Sequence, residues 1–204
     1  MLVIGLTGSI GAGKSTLAAH LRGRGIAVFD ADAEVHRLYA GAAAAPIEAA
    51  FPGTTTNGAV DRARLAAALA NNPSDFKRLE NVVHPLVRAG ERRFLHLEAA
   101  RGAPMAVLEI PLLFETGGEG LADTVILASA PDAIRRERVL QRPGMSPEKL
   151  DLMVSRQMPE AQKQAKANFV VDTGGAIAES LAQLDRIIDS LASLTGTAFA
   201  LHWS

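Results

Sequence analysis

A glycine-rich stretch near the amino end constrains the fold of this chain more than any other feature: Gly8-Ser9-Ile10-Gly11-Ala12-Gly13-Lys14-Ser15. It matches the pattern G-x-x-x-x-G-K-[ST] at every defined position. Residues 2–6 before it form a short apolar run typical of a buried strand, and leucine and alanine recur at helical spacing after it. The sequence therefore predicts a phosphate-binding loop that joins a strand to a helix.

The residue types in this loop suit the binding of a nucleoside triphosphate. Glycines let successive backbone N–H groups turn toward an anion, and the start of a helix adds partial positive charge at the same place. We expect Lys14 to reach the β- and γ-phosphates, the Ser15 hydroxyl to bind Mg²⁺, and Thr16 to hydrogen-bond the next phosphate inward. The alternative, a glycine-rich turn that binds nothing, is the weaker interpretation because Lys14 and Ser15 are both present.

Composition excludes several classes of protein. The chain has 204 residues, enough for one α/β domain with modest insertions, and a net charge of −1, so no strong field favours nucleic acid or acidic lipid. The absence of cysteine excludes disulfides and zinc–thiolate sites. We find no signal peptide and no apolar run of membrane-spanning length. We therefore expect a soluble cytoplasmic protein with no nucleic-acid or membrane partner, and the oligomeric state is left open.

Four more apolar runs are predicted strands, at residues 26–29, 105–110, 124–128 and 169–171. Their alternation with helical patterns predicts an α/β fold, with helices on both faces of a five-stranded parallel sheet. Between the second and third strands the pattern favours helices alone, which suggests an inserted substrate-binding lobe. We expect Pro85 to kink or split a long helix there, and we expect the tail at residues 195–204 to fray.

Two aspartates follow the second predicted strand, in the sequence Asp30-Ala31-Asp32. Ligands of open α/β sheets collect at the carboxyl ends of the strands, so both carboxylates belong to the expected site. Asp32 is a candidate to accept a proton from a substrate hydroxyl or to orient it. It also precedes a predicted helix, where aspartate is a favoured N-cap, and the two interpretations stay open.

Other candidates lie further along the chain. His84 is a candidate ligand or a structural histidine, and the basic group Arg88, Arg92 and Arg93 could grip a phosphorylated substrate or line a solvated helix face. Glu109 and Glu115, near the end of a predicted strand, are both candidates to hold Mg²⁺ through water. Residues 142–166 follow an arginine-rich helix and contain Arg156, Lys163 and Lys166. We interpret them as a lid that closes on the phosphates, and the alternative is an ordinary charged surface helix.

The chain resembles the dephospho-coenzyme A kinase family over most of its length. The phosphate loop with its flanks, residues 5–16, is shared with many kinases, whereas the order of the later motifs is more specific. These are Asp30-Ala31-Asp32, Val60-Asp61-Arg62, His84-Pro85, Pro111-Leu112-Leu113-Phe114-Glu115, Arg138 with Arg142, and Phe169-Val170-Val171-Asp172. The resemblance implies phosphoryl transfer from ATP to the ribose 3′-hydroxyl of dephospho-coenzyme A, the last step of coenzyme A synthesis.

The resemblance also implies a three-layer phosphate-loop kinase core, a helical coenzyme-binding lobe and a lid. We place the core at 1–40, 103–141 and 167–204, the lobe at 41–102 and the lid at 142–166. Asp32, Lys14 and Arg138 become the expected catalytic residues, and His84 and Arg88 join Asp32 in substrate binding. The remaining expected ligands hold ATP and, at Ser15, Mg²⁺: Gly11, Ala12, Gly13, Lys14, Ser15, Thr16 and Arg142.

Two positions depart from the family pattern. Ser9 stands where the family often has glycine, and we expect its side chain to point away from phosphate. Thr173 follows Asp172 where the family often has asparagine, which could alter the contacts to adenine.

Two rival functions differ from this prediction. Another small-molecule kinase, acting on a nucleoside or nucleotide, would use the same loop and the same Asp-Ala-Asp. A GTPase-like switch would need an Asn-Lys-x-Asp motif to read guanine, and the sequence has none.

Overall fold

The computed structural model describes residues 1–70, 72 and 74–204. The strands in chain order are β1 (Leu2–Gly8), β2 (Ala27–Asp30), β3 (Thr55–Thr56), β4 (Ala59–Val60), β5 (Met105–Glu109), β6 (Thr124–Ser129) and β7 (Phe169–Asp172). The helices are α1 (Lys14–Gly23), α2 (Ala31–Tyr39), α3 (Ala44–Ala50), α4 (Arg62–Ala70), α5 (Asp75–Ala100), α6 (Asp132–Leu140), α7 (Pro147–Val154), α8 (Glu160–Lys166) and α9 (Ile177–Leu191). A 3₁₀ turn at Gly118–Leu121 and a π turn at Phe199–Trp203 complete the elements of the described residues.

Within the described residues, a five-stranded sheet has the order β2-β5-β1-β6-β7. Strand β1 lies at its centre and pairs in parallel with β5 and β6, and β6 pairs in parallel with β7. Every residue of β1 is buried, as expected for a central strand covered on both faces. The predicted α/β fold with a five-stranded parallel sheet is confirmed.

Alternate residues of the strands pack into different clusters on the two faces of the sheet. Ile126 and Ala128 of β6 pack with α1 and α9 residues such as Leu17 and Leu184. Val125 and Leu127 pack instead with Leu113, and with Phe114, Met158 and Ala167. This period of two supports helical layers on both faces and fixes the register of each strand, because a one-residue slip would reverse every side chain.

The described residues form two compact units, one of residues 1–29 with 95–204 and the other of residues 30–94. The second unit has its own core, built from α2, α3, α4 and the first part of α5, with Leu38, Ile47 and Leu65 among its buried residues. The described residues include no helix that is both long enough and apolar enough to cross a bilayer.

Two expectations for local structure need correction or refinement. The helical segment between the second and third sheet strands also contains a hairpin, in which β3 pairs antiparallel with β4. Its turn is Asn57-Gly58, and both residues have positive φ, 53° and 76°, which suits a two-residue hairpin loop. Pro85 does not split the helix, because α5 runs from Asp75 to Ala100 with this proline inside it.

The tail is anchored, so the expectation that it frays is wrong. Trp203 is buried, and its Nε1 donates to the carbonyl of Leu121 over 2.8 Å. Asp123 Oδ1 accepts from the backbone amides of Thr197 and Ala198 at 2.6 and 2.8 Å. A buried indole and a carboxylate that accepts two amides together hold the chain end against the first unit.

Candidate active site

The predicted phosphate loop connects β1 to α1 in a strained backbone conformation that requires glycine. Gly11 and Gly13 have φ values of 78° and 80°, which side-chain-bearing residues rarely adopt. A Cβ on Gly11 would lie 2.5 Å from the carbonyl oxygen of Arg135. Helix α1 has no side-chain N-cap, and the Thr16 amide donates to the carbonyl of Gly13 over 3.0 Å, so the amides of Lys14 and Ser15 are the ones that suit a ligand.

Two side chains from outside the loop hold its backbone in place. Thr173 is buried after β7, and its hydroxyl lies 2.6 and 2.9 Å from the carbonyl oxygens of Ala12 and Ser129, so its one proton donates to either of them. Arg138 on α6 donates to the carbonyl of Thr173 over 2.7 Å and to that of Gly11 over 3.4 Å. Arg138 therefore lies at the loop, where its charge would favour a bound phosphate.

Lys14 is the first residue of α1, and its ammonium group is paired with a buried carboxylate. Its Nζ lies 2.8 Å from Oε1 of Glu109, the last residue of β5. The other oxygen of Glu109 lies 3.2 Å from Nη2 of Arg22. Glu109 is only 2% exposed, so the two cations compensate a charge that burial would otherwise disfavour.

The two hydroxyls that follow Lys14 are exposed at the start of α1. Ser15 and Thr16 both face solvent, as donors to a ligand should before it binds. Glu109 is the candidate carboxylate that lies beside this segment. Glu115 is engaged elsewhere: its Oε1 accepts from the Met158 amide over 2.8 Å and lies 2.8 Å from the buried ammonium of Lys163. The sequence offered Glu109 and Glu115 equally as candidates to hold Mg²⁺ through water, and in the structure only Glu109 lies beside Lys14.

The predicted lid, residues 142–166, contains α7 and α8, and α8 packs against the phosphate loop. Glu160 accepts hydrogen bonds from the hydroxyls of Ser9 and Ser129, each over 2.6 Å. The Ser9 side chain is thus directed to α8, in keeping with the expectation for this position. Arg142, expected at the phosphates, is exposed, and among the described residues its side chain makes no hydrogen bond or ion pair.

In the second unit, the two aspartates at the end of β2 and the start of α2 have different positions. Asp30, not Asp32, is the N-cap of α2, and its Oδ1 accepts from the Ala33 amide over 2.9 Å. Asp32 is exposed in the first turn of the helix. The capping interpretation of Asp32 is therefore wrong, because the residue two positions earlier fills that role.

The basic side chains of the second unit are largely paired with carboxylates. Arg88 lies 3.0 Å from Glu91, and Arg93 lies 3.4 Å from Glu34, which also pairs with Arg37. Hydrogen bonding from Arg37 lowers the pKa of Glu34 below its ordinary value, although burial opposes the shift. His84 is exposed on α5. Arg88 and Arg93 are therefore paired with carboxylates of their own unit, and the substrate-binding role of Arg88 stays a prediction.

Several residues at the loop were missed from the sequence. Gln157 and Glu160 were predicted only as part of a lid, and Ser129 was not singled out. The Ser9–Glu160 contact joins positions 151 residues apart, so no local pattern predicts it. Thr173 was noted only as a departure near adenine, whereas its hydroxyl holds the loop.

Comparisons with known proteins agree on one family. The family model described as dephospho-CoA kinase matches residues 2–179. A dephospho-CoA kinase from Mesorhizobium japonicum is 49% identical over 197 residues, which cover 97% of this chain and 100% of that protein.

Solved structures show the same likeness. A crystal structure from Thermus thermophilus has a TM-score of 0.79 and 40% identity, and the match covers 96% of this chain and 98% of that one. Dephospho-CoA kinase from Campylobacter jejuni has a TM-score of 0.70 and 26% identity, and the match covers 93% and 96% of the two chains.

Proposed function

This chain belongs to the dephospho-CoA kinase family, and we propose that Lys14, Asp32 and Arg138 are its catalytic residues. The enzyme transfers the γ-phosphoryl group of ATP to the 3′-hydroxyl of dephospho-CoA and releases CoA and ADP. Such a transfer needs little covalent chemistry from the protein, so positioning and charge stabilisation account for most of the rate. The proposal rests above all on one observation, the phosphate loop with its two positive-φ glycines and its buried supports.

In this proposal the backbone amides of Gly11, Ala12, Gly13, Lys14, Ser15 and Thr16 bind the triphosphate. The absence of a side-chain cap on α1 supports this for the amides of Lys14 and Ser15, whereas the amides of Ala12 and Thr16 donate to the carbonyls of Ser9 and Gly13. The ion pair with Glu109 holds the Lys14 ammonium group close to the loop. Lys14 and Arg138 then offset the negative charge on the phosphoryl group as it is transferred.

The groups beside the loop also fit Mg²⁺. Within the described part of the chain there is no cluster of three or more His, Cys, Asp or Glu that would form a complete metal cage. Mg²⁺ in kinases needs none, because one or two protein groups, water and phosphate oxygens complete its shell. We assign Ser15 as the direct ligand and Glu109 as the carboxylate that holds a metal-bound water. Bound Mg²⁺ would neutralise charge on the β- and γ-phosphates.

Asp32 is assigned to the acceptor hydroxyl. Because Asp30 caps α2, the carboxylate of Asp32 is not needed for that purpose. It would orient the ribose 3′-hydroxyl and accept its proton as the bond to phosphorus forms. We assign His84 and Arg88 to substrate binding and Arg142, on the exposed segment after α6, to the phosphates of ATP once the lid closes.

Steady-state kinetics of two variants test these roles. Lys14→Ala should lower kcat by about 10²–10³-fold, because the charge that develops on the phosphoryl group loses a compensating cation. Asp32→Asn should lower kcat by at least about 10²-fold and leave the KM for ATP within about twofold, because it removes the proton acceptor but no ATP contact.

Glu179→Gln is the matched control, since Glu179 is an exposed acidic residue in the first turn of α9. It should match the wild type in both constants. Near-normal kcat in Lys14→Ala would contradict the role of that lysine. An Asp32→Asn enzyme that melts earlier but turns over normally would show a structural role instead.

A further inference from the structure

The carboxylate of Glu160 lies between two hydroxyl groups that flank the phosphate loop. Its Oε2 accepts from Ser9 in the loop and its Oε1 accepts from Ser129 at the end of β6, both over 2.6 Å. Distances this short are typical of hydrogen bonds to an ionised carboxylate. Arg135 Nη1 lies 3.9 Å from Oε2 and adds positive charge on the same side.

A second residue of the same segment contacts the loop backbone. Gln157 Oε1 accepts from the amide of Ile10 over 3.1 Å, one residue before the positive-φ Gly11. Gln164, on α8, donates to the Ser129 hydroxyl over 3.0 Å. Residues 157–164 therefore contact the side chain of one loop residue, the backbone of the next, and the neighbouring strand end.

The same segment is also anchored by contacts that do not involve the loop. Lys163 is fully buried, and its ammonium lies 2.8 Å from Glu115 Oε1. The same oxygen accepts from the amide of Met158. Moving α8 would expose or separate a buried ion pair and break both carboxylate bonds to the serines. Such a change costs far more than moving a surface helix.

We propose that Glu160 is a positioning residue that fixes the phosphate loop in its ATP-binding shape. It acts through Ser9 and Ser129 and touches neither substrate. A loop with two positive-φ glycines has many alternative conformations, and a fixed carboxylate that holds Ser9 removes some of them before ATP arrives. It follows that residues 157–166 form a fixed wall of the site, and that lid closure is confined to the part before Gln157. This inference rests on the proposed role of the phosphate loop.

Kinetics of Glu160→Ala test the inference. The KM for ATP should rise about tenfold, the loss that corresponds to one charge-assisted hydrogen bond. The KM for dephospho-CoA should stay within about twofold, since the contacts of Glu160 all lie at the loop and the adjoining strand. Glu160→Gln should keep the KM for ATP within about threefold of the wild-type value. The glutamine amide can still bond both hydroxyls, because its oxygen accepts from one serine and its NH₂ group donates to the other.

The matched control is Glu179→Ala, which removes an exposed carboxylate from the first turn of α9, outside the predicted lid. It should leave the KM for ATP unchanged. Ser9→Ala alone should raise the KM for ATP. Combined with Glu160→Ala, it should raise the KM no further than Glu160→Ala does alone, since both substitutions break the bond between Ser9 and Glu160. Additive effects, or a Glu160→Ala enzyme that only melts earlier, would overturn the inference.

ADP binding by calorimetry separates this inference from the proposed function. If Lys14→Ala weakens ADP binding and Glu160→Ala does not, only the positioning role fails. If Lys14→Ala binds ADP as the wild type does, the proposed role of the loop fails, and the positioning role of Glu160, which rests on it, fails with it. Weaker binding in both variants supports both.

Discussion

At the scale of single residues, Glu91 gives a test of the second unit that is independent of catalysis. It is 2% exposed on α5, and Arg88 donates to it over 3.0 Å. Burial raises the pKa of Glu91 above its ordinary value, while the charge and hydrogen bond of Arg88 oppose the shift. Ionised Glu91 is therefore less favourable in the folded chain than in the unfolded chain.

A carboxylate with a raised folded-state pKa contributes stability below its unfolded-state pKa, and loses that contribution as pH rises through the folded-state pKa. Glu91→Gln cannot ionise, so its free energy of unfolding should increase relative to the wild type as pH rises from about 4 to about 7. Urea unfolding at several pH values measures this difference.

Glu80→Gln, an exposed position on the same helix, is the control and should show no such trend. A difference between Glu91→Gln and the wild type that is constant with pH, or that falls as pH rises, would contradict the effect of burial.

Local sequence indicates some residues of the candidate site and gives no sign of others. Gly11, Lys14 and Ser15 stand out because a phosphate loop needs a flexible backbone, a positive charge and a hydroxyl group at fixed spacings within a few residues of one another. The roles of Asp30 and Asp32 were not separated, because either lies where an N-cap could be and only the backbone conformation decides. The pairing of Lys14 with Glu109 joins positions 95 apart, which no local pattern encodes.

At the scale of elements, the fixed position of α8 predicts which part of the lid moves. The chain has no cysteine, so introduced cysteines give unique labelling sites. We pair a spin label at Arg186→Cys, exposed on α9, with one at Leu152→Cys on α7 or at Gln162→Cys on α8. On adding a non-hydrolysable ATP analogue with Mg²⁺, the distance from 186 to 152 should change and the distance from 186 to 162 should not.

Equal shifts of both distances would show that α7 and α8 close as one body and would contradict a fixed wall. Two unchanged distances would contradict a lid at this place altogether. Normal turnover of each labelled enzyme is the control, because it shows that the labels leave the site intact.

The elements themselves were predicted unevenly, for physical reasons. The five sheet strands were found because each is a short, nearly continuous apolar run, although only β1, β5 and β6 are buried along their whole length. Pro85 suggested a break, yet α5 continues through it, since a helix tolerates one lost backbone hydrogen bond when its sides are packed. The tail looked free because its anchors, Asp123 and Leu121, lie far away in sequence.

At the scale of the whole molecule, the sequence pattern and the packing divide the chain differently. Strand–helix alternation stops near residue 41, whereas the packed unit begins at Asp30 and ends at Phe94. The boundaries of a compact unit depend on which side chains pack together. Leu38 of α2 packs with Ile47 and Leu65 in the second unit, although α2 follows directly from a sheet strand. Periodicity alone does not contain that information.

The phosphate-loop motif occurs in many kinases, whereas the acceptor distinguishes one such enzyme from another. The most direct test of the account is therefore ADP release, measured with ATP and Mg²⁺ across a panel of acceptors: dephospho-CoA, adenosine, AMP, uridine and shikimate. We predict turnover with dephospho-CoA alone, a product phosphorylated at the ribose 3′ position, and loss of that turnover in Lys14→Ala. Turnover of shikimate or a nucleoside in preference to dephospho-CoA, or a Lys14→Ala enzyme with undiminished ADP release, would contradict it.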